Sequence, residues 1–220
     1  MKKFKNIAII PARGNSKRLP KKNTLLFGGI PLIVHSIKYA ETNGIEKIIV
    51  STDDSEIKAI SIDYGAEVVD RPYELAVDDS PTVLTLKHVL ESMENSYENV
   101  ILLQPTNPLR PKKLLFDALN IFEKGNYDSL MTVTESTKKL GKIINNNFVP
   151  YTYKMGQRSQ DLEPLYYENG LLYITKAELI LRGEILGENN YPFIVNHPFA
   201  TVDIDTEDDL EYAKFLINKK

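Results

Sequence analysis

The chain has 220 residues, 42% hydrophobic and 26% charged, the proportions of a soluble folded protein with material for one sizeable core. A formal charge of −3 excludes a general nucleic-acid surface, which shows a basic surplus. With no cysteine there is no disulfide framework, thiolate metal site or cysteine nucleophile.

The start, Met1-Lys2-Lys3-Phe4-Lys5, is basic, but only Ile7-Ala8-Ile9-Ile10 follow before Pro11 and Arg13 break the run. A secretory segment needs roughly 7–15 apolar residues and a membrane span about 20, so a cytoplasmic protein with no membrane partner is expected. Ile7–Ile10 reads as a buried strand, followed by a polar loop and an amphipathic helix from Pro31 to Glu41. Lys47–Val50 is the second strand, Glu56–Tyr64 a helix, and Ala66–Val69 the third strand. Pro81–Met93 reads as a helix with Ser80 as N-cap. Val100–Leu103 is the fourth strand, Leu114–Phe122 a helix and Ser129–Thr134 the fifth strand.

Continuous apolar strands separated by helices imply a mainly parallel sheet covered on both faces: an α/β, Rossmann-like three-layer α/β/α sandwich. The rhythm breaks near residue 140. Lys142–Ile144, three asparagines and Phe148–Tyr153 read as a β-hairpin, and the sandwich resumes at Leu171–Ile174. The chain is therefore expected to be a single domain, 1–220, with a small inserted lobe over roughly 138–168.

Ligands of such sheets bind at the carboxyl ends of the strands. After the first strand comes Pro11-Ala12-Arg13-Gly14-Asn15-Ser16-Lys17-Arg18-Leu19-Pro20-Lys21-Lys22-Asn23, neither a Walker loop nor a dinucleotide fingerprint. In isolation it is a solvated basic loop; at that position its five cations and permissive glycine suit a polyphosphate. Asp203-Ile204-Asp205, if extended, points both carboxylates one way, an arrangement that calls for a cation such as Mg²⁺ shared with substrate phosphates. A solvent-facing strand explains the pair equally, and Thr206-Glu207-Asp208-Asp209 reads as a capping box. Gln104-Pro105-Thr106-Asn107-Pro108-Leu109-Arg110 follows strand four, and Arg71 through Thr82 forms a long loop feeding a helix N-terminus. Ser51-Thr52-Asp53-Asp54 reads as ordinary capping. His35, His88 and His197 form no metal-ligand pair and no triad.

In order, IIPARGNSKRLPKKN, STDD, RPYELAVDDSPT, LLQPTNPLR, YYENGLLYI and VDIDTEDDL resemble the acylneuraminate cytidylyltransferases (CMP-sialic acid synthetases) over essentially the whole chain. The resemblance implies a nucleotide-diphospho-sugar transferase type of domain whose inserted lobe makes a homodimer. It also implies Mg²⁺-dependent transfer of CMP from CTP to the anomeric hydroxyl of a nine-carbon acidic sugar. By motif position, Arg13, Lys17, Lys22 and Asn23 form the CTP loop, and Arg71 and Thr82 hold the cytidine. Gln104 falls at the acceptor sugar, and Asp203 and Asp205 bind the metal, with Asp205 as candidate base. Arg158-Ser159-Gln160-Asp161 and Tyr167-Glu168-Asn169-Gly170 resemble one branch of the family; where another branch carries Arg-Pro-Asn-Gly, this chain has Tyr167-Glu168. Arg158, presented by a partner subunit, is the candidate for the sugar carboxylate, with Tyr167 at the sugar end. Asn107 replaces the serine of PTSPLR. Legionaminic or pseudaminic acid is the alternative acceptor, Kdo a weaker one, and a non-catalytic nucleotide-binding module the alternative of another class.

Overall fold

Side-chain alternation in the first strand, β1 (Lys3–Pro11), divides the molecule into two cores. Ala8 and Ile10 enter one and Ile7 and Ile9 the other, all fully buried, each isoleucine contributing about 1.5–3 kcal/mol. The computed structural model describes residues 3–218. After β1 come a short hairpin of β2 (Leu26–Phe27) and β3 (Ile30–Pro31), helix α1 (Leu32–Thr42), β4 (Ile48–Thr52), α2 (Ser55–Asp63) and β5 (Glu67–Asp70). Then follow α3 (Thr82–Glu91), β6 (Ser96–Leu102), α4 (Leu114–Gly125) and β7 (Ser129–Ser136). The remaining elements are β8 (Gly141–Ile144), β9 (Asn147–Pro150), β10 (Leu165–Lys176), α5 (Ala177–Arg182), β11 (Asn190–Ile194) and α6 (Glu207–Asn218).

Seven strands form one sheet in the order β11-β7-β10-β6-β1-β4-β5. All run parallel except β10, which is antiparallel to both β6 and β7. Residues of α1, α2 and α4 pack on one face and of α3 and α5 on the other; α6 closes a third cluster with Leu19, Phe27, Val202 and Ile204. The three-layer sandwich expected from the sequence is what forms. Among the described residues, no helix is long and apolar enough to cross a membrane.

Differences from the sequence reading have local causes. The edge strand β11 contains Pro192, which lacks a ladder donor and is tolerated because the strand lies at the sheet's margin; that proline hid the strand. Residues 137–164 leave the sheet between β7 and β10 and carry the β8–β9 hairpin, with Asn145 and Asn146 both left-handed at its turn, as a type I′ turn requires. Leu165–Glu168, at the end of the stretch 138–168 expected as a lobe, pair with Val133–Ser136 of β7.

The QPTNPLR loop is tied to the sheet by Arg110. Its buried guanidinium donates from Nε to Leu171 O (2.7 Å), from Nη2 to Gln104 O (2.8 Å) and from Nη1 to Ser36 Oγ (3.1 Å), with the Tyr39 ring 5.5 Å away. Burial lowers its pKa to about 10. Arg110→Ala strands these acceptors, and urea unfolding is expected to show a loss of about 3 kcal/mol or more; a loss below about 1 kcal/mol would mean that water substitutes for the guanidinium.

Candidate active site

The parallel strands β1, β4, β5 and β6 deliver four loops to one edge of the sheet. Because β10 runs the other way, its incoming end, Tyr167 to Gly170, arrives at that same edge. Between these loops lies a cleft of about 560 Å³, within the size range of small-molecule sites. It is lined by Arg13, Lys17, Lys22, Asn23, Arg71, Thr82, Gln104, Asp203 and Asp205, nine of the eleven residues singled out in the sequence.

Of the five cations after β1, four line the cleft. Lys21, in left-handed conformation, turns away to Glu56 (3.0 Å). Arg13 and Lys17 both pair with Asp78 of the loop after β5, and these bonds hold the Asp78 carboxyl below its ordinary range. Arg18 and Lys22 pair with Asp205, Lys22 at 2.7 Å. Asn23 Nδ2 donates to Arg13 O at 2.9 Å, which fixes the loop's shape. Gly14 does not offer its N–H to a ligand, as its permissive backbone suggested. That N–H donates to Asp53 Oδ1 (2.9 Å). The glycine is needed for space, since a Cβ there would lie 2.8 Å from Asp54 Cβ. Asp54 caps α2 by accepting from Ile57 N, so STDD both caps a helix and braces the basic loop.

Residues 203–205 are not assigned as a strand, yet the expected alternation holds. Ile204 is fully buried and its N–H donates to Thr106 O at 2.8 Å, leaving both carboxylates on the cleft wall. The capping box forms behind them, with Asp209 Oδ2 accepting from Thr206 N (2.8 Å) and Asp205 N (3.1 Å). Burial pushes the Asp203 pKa up, a hydrogen bond from Thr106 pulls it down, and neighbouring Asp205 adds to the rise. No group of three or more acidic, histidine or cysteine side chains converges among the described residues. Two adjacent carboxylates, one of them under-compensated, fit a hard cation that keeps its other positions for phosphate oxygens.

Arg71 is buried, its Nε 3.3 Å from Ser51 Oγ, and burial lowers its pKa to about 10. Ser80 is not the N-cap of α3: the helix begins at Thr82 with Pro81 in the cap position. The Ser80 Oγ is buried without a hydrogen-bond partner and borders the cleft, a site residue that the capping pattern concealed. Asn107 Nδ2 donates to Val202 O (2.7 Å) and Asn169 O (3.2 Å), joining the Gln104 loop to β10 and to the acidic segment.

Gln104 and Asp203 also border a second chamber of about 500 Å³, walled by Lys138, Tyr167, Glu168 and Tyr173. Beyond Glu168 and Tyr173 it meets an apolar annex of Val83, Ile185 and Leu186. Lys138 and Glu168 carry no site role in the sequence reading: Lys138 lies in none of the recognised motifs, and in Tyr167-Glu168-Asn169-Gly170 only Tyr167 was assigned to the sugar. Arg158 is not brought to either space in this chain: it is exposed, with Nε 2.7 Å from its own neighbour Asp161.

The cytidylyltransferase family profile matches residues 7–220. The chain is 35% identical over 215 residues to an N-acylneuraminate cytidylyltransferase of Streptococcus agalactiae, an alignment covering 94% of this chain and 52% of that protein. It thus spans about half the length of that relative. It is 33% identical over 223 residues to a pseudaminic acid cytidylyltransferase of Campylobacter jejuni (97% and 96% covered). It is 35% identical over 223 residues to a CMP-N,N′-diacetyllegionaminic acid synthase of Legionella pneumophila (96% and 95% covered). The solved structure of a CMP:2-keto-3-deoxy-manno-octonic acid synthetase complexed with CTP superposes with a TM-score of 0.72 at 18% identity, covering 97% and 98% of the two chains, a likeness of fold. The chain belongs to the cytidylyltransferase family.

Proposed function

We propose that the chain transfers CMP from CTP to the anomeric hydroxyl of a nine-carbon acidic sugar, releasing pyrophosphate. The observation that carries this reading is the convergence, on either side of Gln104, of a cleft walled by five cations and three carboxylates and a chamber bordered by Lys138. The full-length relatives act on pseudaminic and diacetyllegionaminic acids and the half-covered one on N-acylneuraminate; the acceptor is drawn from this class.

The triphosphate lies against Arg13, Lys17, Arg18 and Lys22, with the nucleoside toward Arg71, Ser80 and Thr82. The acceptor occupies the second chamber, its carboxylate toward Lys138 and its hydroxyl toward the α-phosphate. Attack in line forms one P–O bond and breaks another, and the negative charge that develops meets pre-placed cations. Asp203 and Asp205 would hold Mg²⁺, which when bound neutralises phosphate charge. The hydroxyl's proton leaves toward the carboxylate pair. Asp203, bordering both spaces, is better placed for it than Asp205, the base expected from the sequence, which Arg18 and Lys22 hold. The same reading makes the protein a homodimer, exposed Ile143, Phe148 and Tyr151 being covered by a second copy whose chamber receives Arg158.

Purified protein with CTP and Mg²⁺ is expected to release pyrophosphate with one or more of N-acetylneuraminic, legionaminic and pseudaminic acids, and to stop on chelation. CTP binding without release for any acceptor would favour the non-catalytic module. Asp205→Asn is expected to slow turnover roughly 10²-fold or more. Asp203→Asn separates function from stability. A carboxyl whose folded pKa is raised is protonated more readily in the folded state, so its contribution weakens as pH rises from the unfolded value near 3.8 through the raised one. At neutral pH the ionised group opposes folding. Asp203→Asn should therefore lose activity while melting higher in metal-free buffer; a lower melting temperature would mean that the Thr106 bond outweighs burial.

A further inference from the structure

The irregularity in β10 that borders the second chamber gives one acidic side chain a position the reaction above does not use. Glu168 pairs with Val133 and Tyr173 with Met131, so extra residues of β10 bulge where the strand meets the site, as bulges that re-aim side chains do. The bulge is pinned from inside. Buried Asn169 accepts at Oδ1 from Thr132 Oγ1 (2.6 Å) and Leu171 N (3.1 Å), and donates from Nδ2 to Thr134 Oγ1 (3.0 Å). Gly170 is left-handed, at φ +72°, and a Cβ there would lie 2.9 Å from Asn107 Oδ1 and 3.0 Å from Gln104 Oε1. The backbone around Glu168 is therefore fixed against the Gln104 loop.

The carboxylate that results is exposed but oriented. Its Oε1 accepts from the hydroxyl of Tyr173, itself only 4% exposed, and the side chain borders both the second chamber and the apolar annex. A negative group beside a site for a triphosphate and an acidic sugar repels both unless it meets a donor. An ionised carboxylate can only accept hydrogen bonds. Lys138 and Asp203 border the same chamber, so within this chain an acidic ligand there meets one cation and two carboxylates.

We propose that Glu168, held by Tyr173 at the β10 bulge, is a specificity residue that accepts a hydrogen bond from an exocyclic N–H of the acceptor and keeps the acceptor's carboxylate away from its own side of the chamber. An acylamino substituent satisfies both surroundings, its N–H on Glu168 and its methyl group toward Ile185 and Leu186. This rests on the cytidylyltransferase reading and specifies its acceptor.

The test is steady-state pyrophosphate release with two acceptors that differ in one group: N-acetylneuraminic acid and ketodeoxynonulosonic acid, which carries a hydroxyl in place of the acetamido group. Wild-type protein should favour the acetamido acid in kcat/KM. Glu168→Ala should raise KM for that acid about tenfold or more, the worth of a charge-assisted hydrogen bond, and erase most of the preference. Its kcat should stay within about threefold and its CTP affinity within about twofold, the latter showing that the variant is folded. Glu168→Gln, which keeps an acceptor oxygen, should fall between, and Tyr173→Phe should raise KM by a smaller factor. An unchanged KM and preference in Glu168→Ala, or an equal loss toward both acceptors, overturns the proposal. Failure of wild-type protein with every nonulosonic acid overturns the function itself, and is seen before any variant is made.

Discussion

A buried guanidinium joins the pieces of chain on which the cleft depends. Arg110 donates to the carbonyls of Gln104 and Leu171 and to the Ser36 hydroxyl, linking the loop after β6, the antiparallel strand β10 and helix α1. Hydrogen bonds to neutral acceptors satisfy a charge in a dry interior only if all the donors' geometry is right. Gln104 is thereby fixed at its backbone, and Gln104 borders the cleft, the second chamber and the annex. Asn107 extends the same scaffold to Val202, one residue before the acidic segment. The relative position of the three spaces thus traces to a hydrogen-bonded framework centred on Arg110.

The framework also explains why the sheet breaks its own rule. A wholly parallel sheet would bring only outgoing strand ends to the ligand edge. By inserting β10 backwards between β6 and β7, the fold adds an incoming strand end, and with it the wall of Tyr167, Glu168 and Gly170. The regular strands fill the core, and the proposed specificity residue sits on the irregular one, a division common where a local rule is broken for function.

Much of this was legible in the sequence. The runs Ile7–Ile10, Lys47–Val50 and Val100–Leu103 gave away buried parallel strands, and that fixed which loops share an edge. Nine expected site residues met there because each follows a strand end or sits in the acidic segment. What escaped notice did so for physical reasons. Ser80 before Pro81 has the chemistry of a helix cap, and only the three-dimensional structure shows its hydroxyl buried at the cleft. Gly14 suggested an anion-binding backbone, but crowding against Asp54 explains it better. Lys138 and Glu168 flank a reversal of strand direction that periodicity cannot reveal, and Arg158 pairs with its neighbour Asp161 on an exposed segment away from both spaces.

The pairing of Arg13 and Lys17 with Asp78 has a further consequence. Two of the loop's cations share one carboxylate at rest, so an arriving polyanion there exchanges an ion pair instead of meeting bare cations. Affinity then reflects the difference in charge density between a carboxylate and a phosphate. Weak anions would gain little by that exchange and a triphosphate most, a filter by charge density that needs no steric gate. The exchange also runs in reverse. When a departing polyanion releases the two cations, the Asp78 carboxylate is tethered beside them, an intramolecular competitor at high effective concentration, so a strongly held anion would not have to leave unaided.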